Sequence, residues 1–138
     1  MYDTILIAAA LFSKGQTTRG LIRKARDMLN PGGKLVVVHV VDEIPQFAAA
    51  RIPAELQSKR QREAQDELEA IANEAGDIKI ETVVRMGTPS AGILGTATET
   101  KADLIMIASH KPGFGDYFIG STATRVVRHA QTSVMVLR

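Results

Sequence analysis

The feature that most constrains the fold is a regular alternation of short apolar runs with amphipathic stretches. The apolar runs are residues 4–10, 34–41, 78–85, 102–109 and 133–138. Runs of this length are typical of strands that are buried on both faces of a sheet. Because a helical stretch separates each run from the next, the sequence predicts an α/β fold. The expected architecture is a doubly wound parallel sheet of five strands, with right-handed crossovers and helices on both faces.

Helices are predicted where apolar residues recur at spacings of three and four. They lie near residues 21–29, 54–75, 93–97 and 121–130. The segment Asn30-Pro31-Gly32-Gly33 is predicted to end the first helix, because proline and glycine act as stop signals. The predicted buried faces include Leu56 in the second helix and Val127 in the last. The strand at 78–85 partly alternates apolar and polar residues, which favours a place near an edge of the sheet.

Composition and charge exclude several classes of protein. A formal net charge of +2 exerts no strong pull on nucleic acid or an anionic membrane, so neither is expected as a partner. The chain has no cysteine, which excludes disulfide, thiol redox and thiolate–metal chemistry. We expect a single domain, 1–138. No apolar run approaches the ~20 residues of a membrane span, and no basic stretch typical of a signal peptide precedes the first strand. We therefore expect a cytoplasmic protein.

The segment best suited to carry chemistry is 108–122, between the fourth strand and the last helix. Its glycines permit backbone conformations that are closed to other residues. They are Gly113, Gly115 and Gly120. Ser121 and Thr122 open the helix, where free N–H groups and the helix dipole favour an anion. With the charge of Lys111, this arrangement predicts a phosphate site. A purely structural alternative stays open, in which Ser121 caps the helix and the glycines only form turns.

Two common phosphate motifs do not match this segment. A Walker loop needs a lysine between its last glycine and the hydroxyl residue, whereas Gly120 is followed directly by Ser121. A dinucleotide fingerprint needs a third glycine and a place after the first strand, and Gly113-Phe114-Gly115 has neither.

The three histidines differ in their prospects. His39 lies in a run of valines and is predicted to be a hydrogen-bonded core histidine, while His129 suits a structural role late in a helix. His110, at the carboxyl end of a strand, is the best functional candidate. No arrangement typical of a catalytic triad or a zinc site is readable.

Several motifs together resemble those of one known family. The most telling are Ile105-Met106-Ile107-Ala108-Ser109-His110-Lys111-Pro112, Gly120-Ser121, Val126-Val127-Arg128-His129-Ala130 and the last strand from Ser133 to Arg138. Supporting motifs are Thr4-Ile5-Leu6-Ile7, Val38-His39-Val40-Val41-Asp42 and Gly87-Thr88-Pro89. In this combination the chain resembles the universal stress protein family over its full length. The resemblance implies strand order 3-2-1-4-5 and a homodimer formed through the strand from Ser133 to Arg138. It also implies a stress-response or regulatory role with bound ATP, with or without Mg²⁺.

The resemblance further assigns residues to a nucleotide site. Val40 matches the position whose backbone reads adenine, and Met86 and Gly87 match the loop beside the ribose. The phosphate and ribose arc corresponds to Ser109, His110, Gly120, Ser121 and Thr122. Lys111, Gly113 and Gly115 join the predicted site on the argument from residue types alone.

The chain departs from the family pattern in two places. Ala108 replaces the first glycine of Gly-X2-Gly-X9-Gly-Ser/Thr, and the stretch from there to Gly120 is one residue shorter. Ala8 and Ala10 stand where the first strand of the family often ends in Pro-X-Asp, so a carboxylate beside the nucleotide is missing.

Two rival functions stay open. The run Ala8-Ala9-Ala10 favours an interaction module in stress signalling that forms dimers but binds no nucleotide. The other rival is a slow ATPase or phosphotransferase. Asp116 is the only acid in the loop, and no acid and base pair for activating water is readable.

Overall fold

The strands form one twisted sheet in which all neighbours are parallel. The computed structural model describes residues 1–11, 15–42, 46–109 and 119–138. In these residues the strands are β1 Tyr2–Ala8, β2 Leu29–Val41, β3 Lys79–Met86, β4 Leu104–Ala108 and β5 Ser133–Leu137. Their order is β3-β2-β1-β4-β5. This confirms the predicted doubly wound sheet and its strand order, and it confirms that β3 lies at an edge.

Helices cover both faces of the sheet. They are α1 Gln16–Met28, α2 Gln46–Ala49, α3 Ala54–Asn73, α4 Pro89–Thr100 and α5 Ser121–His129. On one face, α1 and α3 pack against Ile5 and Ile7 of β1, and on the other face α4 and α5 pack against Leu6. Because successive side chains of a strand point to opposite faces, β1 supplies both hydrophobic cores. The short helix α2 was not predicted, since its residues lie between two prolines.

The start of β2 corrects one sequence prediction. The strand begins at Leu29 rather than at Lys34, and α1 ends at Met28. Tyr2 pairs with Leu29 while Thr4 pairs with Lys34, so residues 30–33 bulge between these two pairs. A Cβ on Gly33 would lie 2.9 Å from the Asp3 carbonyl oxygen, which explains a glycine at this close approach. The turn-forming residues are thus absorbed into the strand instead of forming a separate loop.

Two residues predicted to be buried are exposed. Leu56 is 47% exposed, because the buried residues of α3 begin only at Ala64 and the start of the helix lies beyond the core. Val127 is 52% exposed, because α5 buries only the narrow stripe that carries Ala123 and Val126. In both helices the apolar period was predicted correctly. The length of the buried part of α3 and the width of the buried stripe of α5 were not.

A helix needs about 20 predominantly apolar residues to cross a membrane. In the parts of the chain that the structure describes, no helix is both long enough and apolar enough to cross a membrane.

Candidate functional site

A large cleft opens where the strand order reverses. From β1 the chain moves outward to β2 and β3, and then crosses to β4 on the other side of β1. In open α/β sheets, ligands bind outside the carboxyl ends of the strands at this switch point. Here the structure has a cavity of about 660 Å³, a size that suits a small organic ligand.

The floor of the cavity is apolar and buried. It is formed by Ala8, Val38, Ile93, Ile107 and Ala123, each of which is at most 7% exposed. These residues come from three strands and from the two helices that cover the same face of the sheet. The bottom of the cleft is therefore an apolar surface against which a planar apolar group could pack.

One side of the cavity is the N-terminus of α5. The Gly120 N–H donates to the Ser109 carbonyl oxygen at 2.6 Å, which holds the start of the helix above the end of β4. Ser121 and Thr122 both line the cavity. Their N–H groups have no acceptor within the helix, and the helix dipole is positive at this end. This side of the cleft is therefore suited to an anion.

The structure also bears on the capping role considered for Ser121. Gly120, not Ser121, occupies the N-cap position, and no side-chain hydrogen bond caps the helix. The Ser121 side chain is exposed at the cavity, in the first helical position. Ser121 is therefore not the N-cap of α5.

Another wall of the cavity is the end of β1, where the side chains are small. Ala8, Ala9 and Ala10 all line the cavity. The Thr18 hydroxyl, which is fully buried, both accepts from the Ala10 N–H and donates to the Ala10 carbonyl oxygen, each at 2.9 Å. This pair of bonds ties the first turn of α1 to the backbone at Ala10, just after β1. The wall therefore has a defined backbone but no carboxylate.

The end of β2 contributes a histidine beside the cavity. His39 is half-buried and hydrogen-bonds to the backbone of Ala9. Burial lowers the pKa of His39, and the bond to Ala9 and the charges of Glu67 and Asp42 oppose that shift only in part. Its neutral form is therefore favoured at neutral pH. His39 is hydrogen-bonded, as predicted. That it lines the cleft was not predicted.

The lowered pKa makes the protein sensitive to acid. As the pH falls below the ordinary histidine value of about 6.5, the unfolded chain takes up a proton at His39 more readily than the folded chain. This contribution to stability is fully present above that pH and is lost as the pH falls. We expect a lower urea midpoint at pH 5 than at pH 7.5. In His39→Gln the difference should shrink, whereas in the control His129→Gln, at an exposed position, it should stay. Equal acid sensitivity in wild type and His39→Gln would refute this assignment.

The chain is similar to known proteins in sequence and in fold. The sequence matches the universal stress protein family over residues 1–138. The chain belongs to the universal stress protein family. It is 26% identical over 143 aligned positions to universal stress protein G of Escherichia coli O157:H7, with both chains fully covered.

Solved structures of universal stress proteins share the fold. UspA from Lactobacillus plantarum superposes with a TM-score of 0.77 at 23% identity, covering 99% of this chain and 98% of that one. A universal stress protein family protein from Arabidopsis thaliana, solved with AMP bound, has a TM-score of 0.66 at 16% identity. That comparison covers 97% of this chain and 90% of the plant protein. At these identities the likeness concerns the fold.

Most of the described residues that were predicted for the site of this universal stress protein lie together. Those that line the cavity are Ala8, Ala10, Val40, Ser109, Gly120, Ser121 and Thr122. Met86 and Gly87 are not among the described lining residues; the Gly87 N–H donates to the Val41 carbonyl oxygen at 3.0 Å. Four further predicted residues, His110, Lys111, Gly113 and Gly115, lie outside the described residues.

Several residues that line the cavity were not predicted from the sequence. They are Ala9, Leu11, Val38, His39, Asp42, Pro89, Ile93, Ile107 and Ala123. Val38 and Ile107 lie near the carboxyl ends of adjacent buried strands, so the switch-point rule alone was a usable signal for them. Pro89 and Ile93 had no such signal, because their place depends on how closely α4 approaches the sheet. Among the described residues, no group of three or more metal-ligating side chains is arranged to hold a metal ion.

Proposed function

We propose that this universal stress protein binds an adenine nucleotide, with ATP as the expected ligand, and acts as a homodimer in stress response or regulation. The observation that carries the proposal is the cleft itself, which combines a buried apolar floor with the N-terminus of α5. An apolar base and an anionic phosphate need these two environments at opposite ends of one site. The plant relative solved with AMP bound supports the same class of ligand.

The proposed orientation follows from the two ends of the cleft. The phosphates would lie at Gly120, Ser121 and Thr122, and the base would lie toward Val40 at the end of β2. Mg²⁺ belongs to the proposal only as a companion of the ATP phosphates, since Asp42 is the one carboxylate among the described lining residues. The loop residues His110, Lys111, Gly113 and Gly115 stay part of the predicted phosphate site.

The proposed dimer uses β5. This strand lies at the edge of the sheet, and Val134, Met135, Val136 and Leu137 are only partly buried. An apolar edge strand presents unpaired backbone groups that a second copy can cover. A twofold axis would cover both edges at once. We further propose a cytoplasmic protein formed by one domain over 1–138, as the composition predicts.

Native mass spectrometry of the untreated purified protein, followed by calorimetry with ATP and AMP, tests this proposal. We expect the mass of a dimer, a co-purified adenine nucleotide, and saturable binding. Titrations with and without Mg²⁺ show whether the metal contributes. Absence of binding at millimolar nucleotide would refute the nucleotide part of the proposal.

A dimer without nucleotide would instead support the interaction-module function. The observation in favour of that second candidate is the alanine wall formed by Ala8, Ala9 and Ala10, which offers no carboxylate to a ligand. The same samples decide between the two functions, because dimer and nucleotide are detected independently.

A further inference from the structure

A glycine in α4 lies unusually close to β2. A Cβ placed on Gly92 would lie 2.5 Å from Cγ2 and 3.3 Å from Cγ1 of Val40. The first distance is far shorter than carbon atoms tolerate in contact. The helix and the strand are therefore closer here than any residue larger than glycine permits.

A second glycine in α4, Gly95, has no such close contact, so the close approach is particular to position 92. A Cβ on Gly95 would meet only the Nη1 atom of Arg85, at 3.3 Å, which is the far end of a flexible side chain. Glycine within a helix costs stability relative to alanine. At position 92 the Val40 side chain explains why the helix has glycine and not alanine. At position 95 no comparable steric obstacle to alanine is present among the described residues.

The closeness at Gly92 bears directly on the cleft. Val40 lines it from β2, while Pro89 and Ile93 line it from α4, within one turn of Gly92. Ile93 is 4% exposed and belongs to the core beneath the cavity. Any change in the separation of α4 and β2 at this point moves two walls of the cleft relative to each other.

We propose that Gly92 is a positioning residue that sets the width of the cleft at the base end of the ligand. It acts through Val40, whose side chain it allows to pack closely against α4 at the wall of the cavity. This inference rests on the proposed function, because it assigns the Val40 end of the cleft to the base. A side chain at position 92 pushes Val40 into the cavity or lifts Pro89 and Ile93 away from it, and both movements disturb the surface that receives a purine.

The first test is Gly92→Ala, with AMP binding measured by calorimetry. We expect the AMP affinity to fall about tenfold or more, as for overpacking of a well-packed site. The matched control is Gly95→Ala, for which we expect an AMP affinity within about twofold of wild type. Circular dichroism before each titration establishes that the variants are folded.

Rescue by a second substitution separates positioning from general loss of structure. In Gly92→Ala/Val40→Ala both methyl groups that the new Cβ would strike are gone, and the nearest remaining Val40 atom, Cβ, is at 3.5 Å, an ordinary contact. We expect the double variant to bind AMP within about threefold of Val40→Ala alone. This comparison keeps its value even if the single variant Gly92→Ala does not fold.

The possible failures are distinguishable. If wild type binds no adenine nucleotide, the proposed function fails, and the base-end role of Gly92 fails with it. If wild type binds AMP and Gly92→Ala binds it equally well, only the role of Gly92 is refuted. A double variant that stays much weaker than Val40→Ala would likewise refute action through Val40.

Discussion

Thr18→Val is expected to lower the free energy of unfolding by about 2 kcal/mol, since it removes two hydrogen bonds that each contribute about 1 kcal/mol. The Thr18 side chain is fully buried, and its hydroxyl makes two hydrogen bonds of 2.9 Å to the backbone of Ala10. Valine has nearly the same shape, so no cavity forms, but the Ala10 N–H and carbonyl oxygen both lose this partner. Urea unfolding followed by circular dichroism measures the change.

Thr18→Ser is the control for that experiment. It keeps the hydroxyl and removes only a methyl group, so we expect a loss of about 1 kcal/mol. The larger loss in the valine variant would then be due to the hydrogen bonds. If valine and serine destabilise the protein equally, the two bonds between Thr18 and Ala10 do not stabilise the fold as we infer. Because Ala10 lines the cleft, we also expect weaker nucleotide binding by the valine variant.

Gly120→Val is expected to weaken AMP binding by at least about tenfold, a change of about 1.4 kcal/mol or more. A Cβ at Gly120 would already lie 3.1 Å from the Ser109 carbonyl oxygen, and valine adds two methyl groups. The backbone of Gly120, with φ of −60° and ψ of 156°, is open to other residues, so the effect is steric rather than conformational. The start of α5 must move away from β4, and its N–H groups then leave the proposed phosphate position.

Calorimetry with AMP checks this expectation against Gly20→Ala. Gly20 lies within α1, and among the described residues a Cβ there would approach only Arg23 Nη2, at 3.8 Å. We expect Gly20→Ala to bind AMP as wild type does and to be slightly more stable. If Gly120→Val is folded and keeps its AMP affinity, the phosphate end of the ligand does not lie at the start of α5.

Much of the fold could be predicted because the core imposes strict demands on the sequence. The central strands β1 and β4 are buried on both faces, and residues such as Leu6 and Ile105 are completely covered. Such strands read as continuous apolar runs. The alternation with helices then leaves few topologies. The order β3-β2-β1-β4-β5 came from the resemblance to universal stress proteins, since alternation alone does not determine which strand lies next to which.

The errors in the fold prediction arise where tertiary contacts override local preference. The segment Asn30-Pro31-Gly32-Gly33 has every local mark of a turn, yet its glycine allows β2 to approach the Asp3 backbone and the strand absorbs the bulge. Leu56 follows the helical period but lies before the part of α3 that reaches the core. Sequence periodicity reports which way a side chain points, not whether anything covers it.

The site was predictable in outline for the same physical reasons. Glycine and hydroxyl residues at the start of α5 carry a recognisable anion-binding pattern, and Gly120, Ser121 and Thr122 do line the cleft. The contribution of α4 was not predictable, because Pro89 and Ile93 line the cavity from a helix whose approach to β2, close at Gly92 and Val40, is a tertiary contact. That contact joins residues far apart in the chain and has no local signature.

The pairing of β1 with β4 has a consequence for how the protein is made. β1 is next to β2, which follows soon after it, but its other neighbour begins only at Leu104. The Asp103 carboxylate, which bonds to the N–H groups of Asp3 and Thr4, is equally distant in sequence. During synthesis, β1 therefore leaves the ribosome long before its second partner strand, β4, has been made. Until then, the edge of β1 that pairs with β4 is uncovered in the β1-β2-β3 half. The walls of the cleft come from both halves of the sheet. A bound ligand would therefore stabilise the state in which the late half is docked onto the early half.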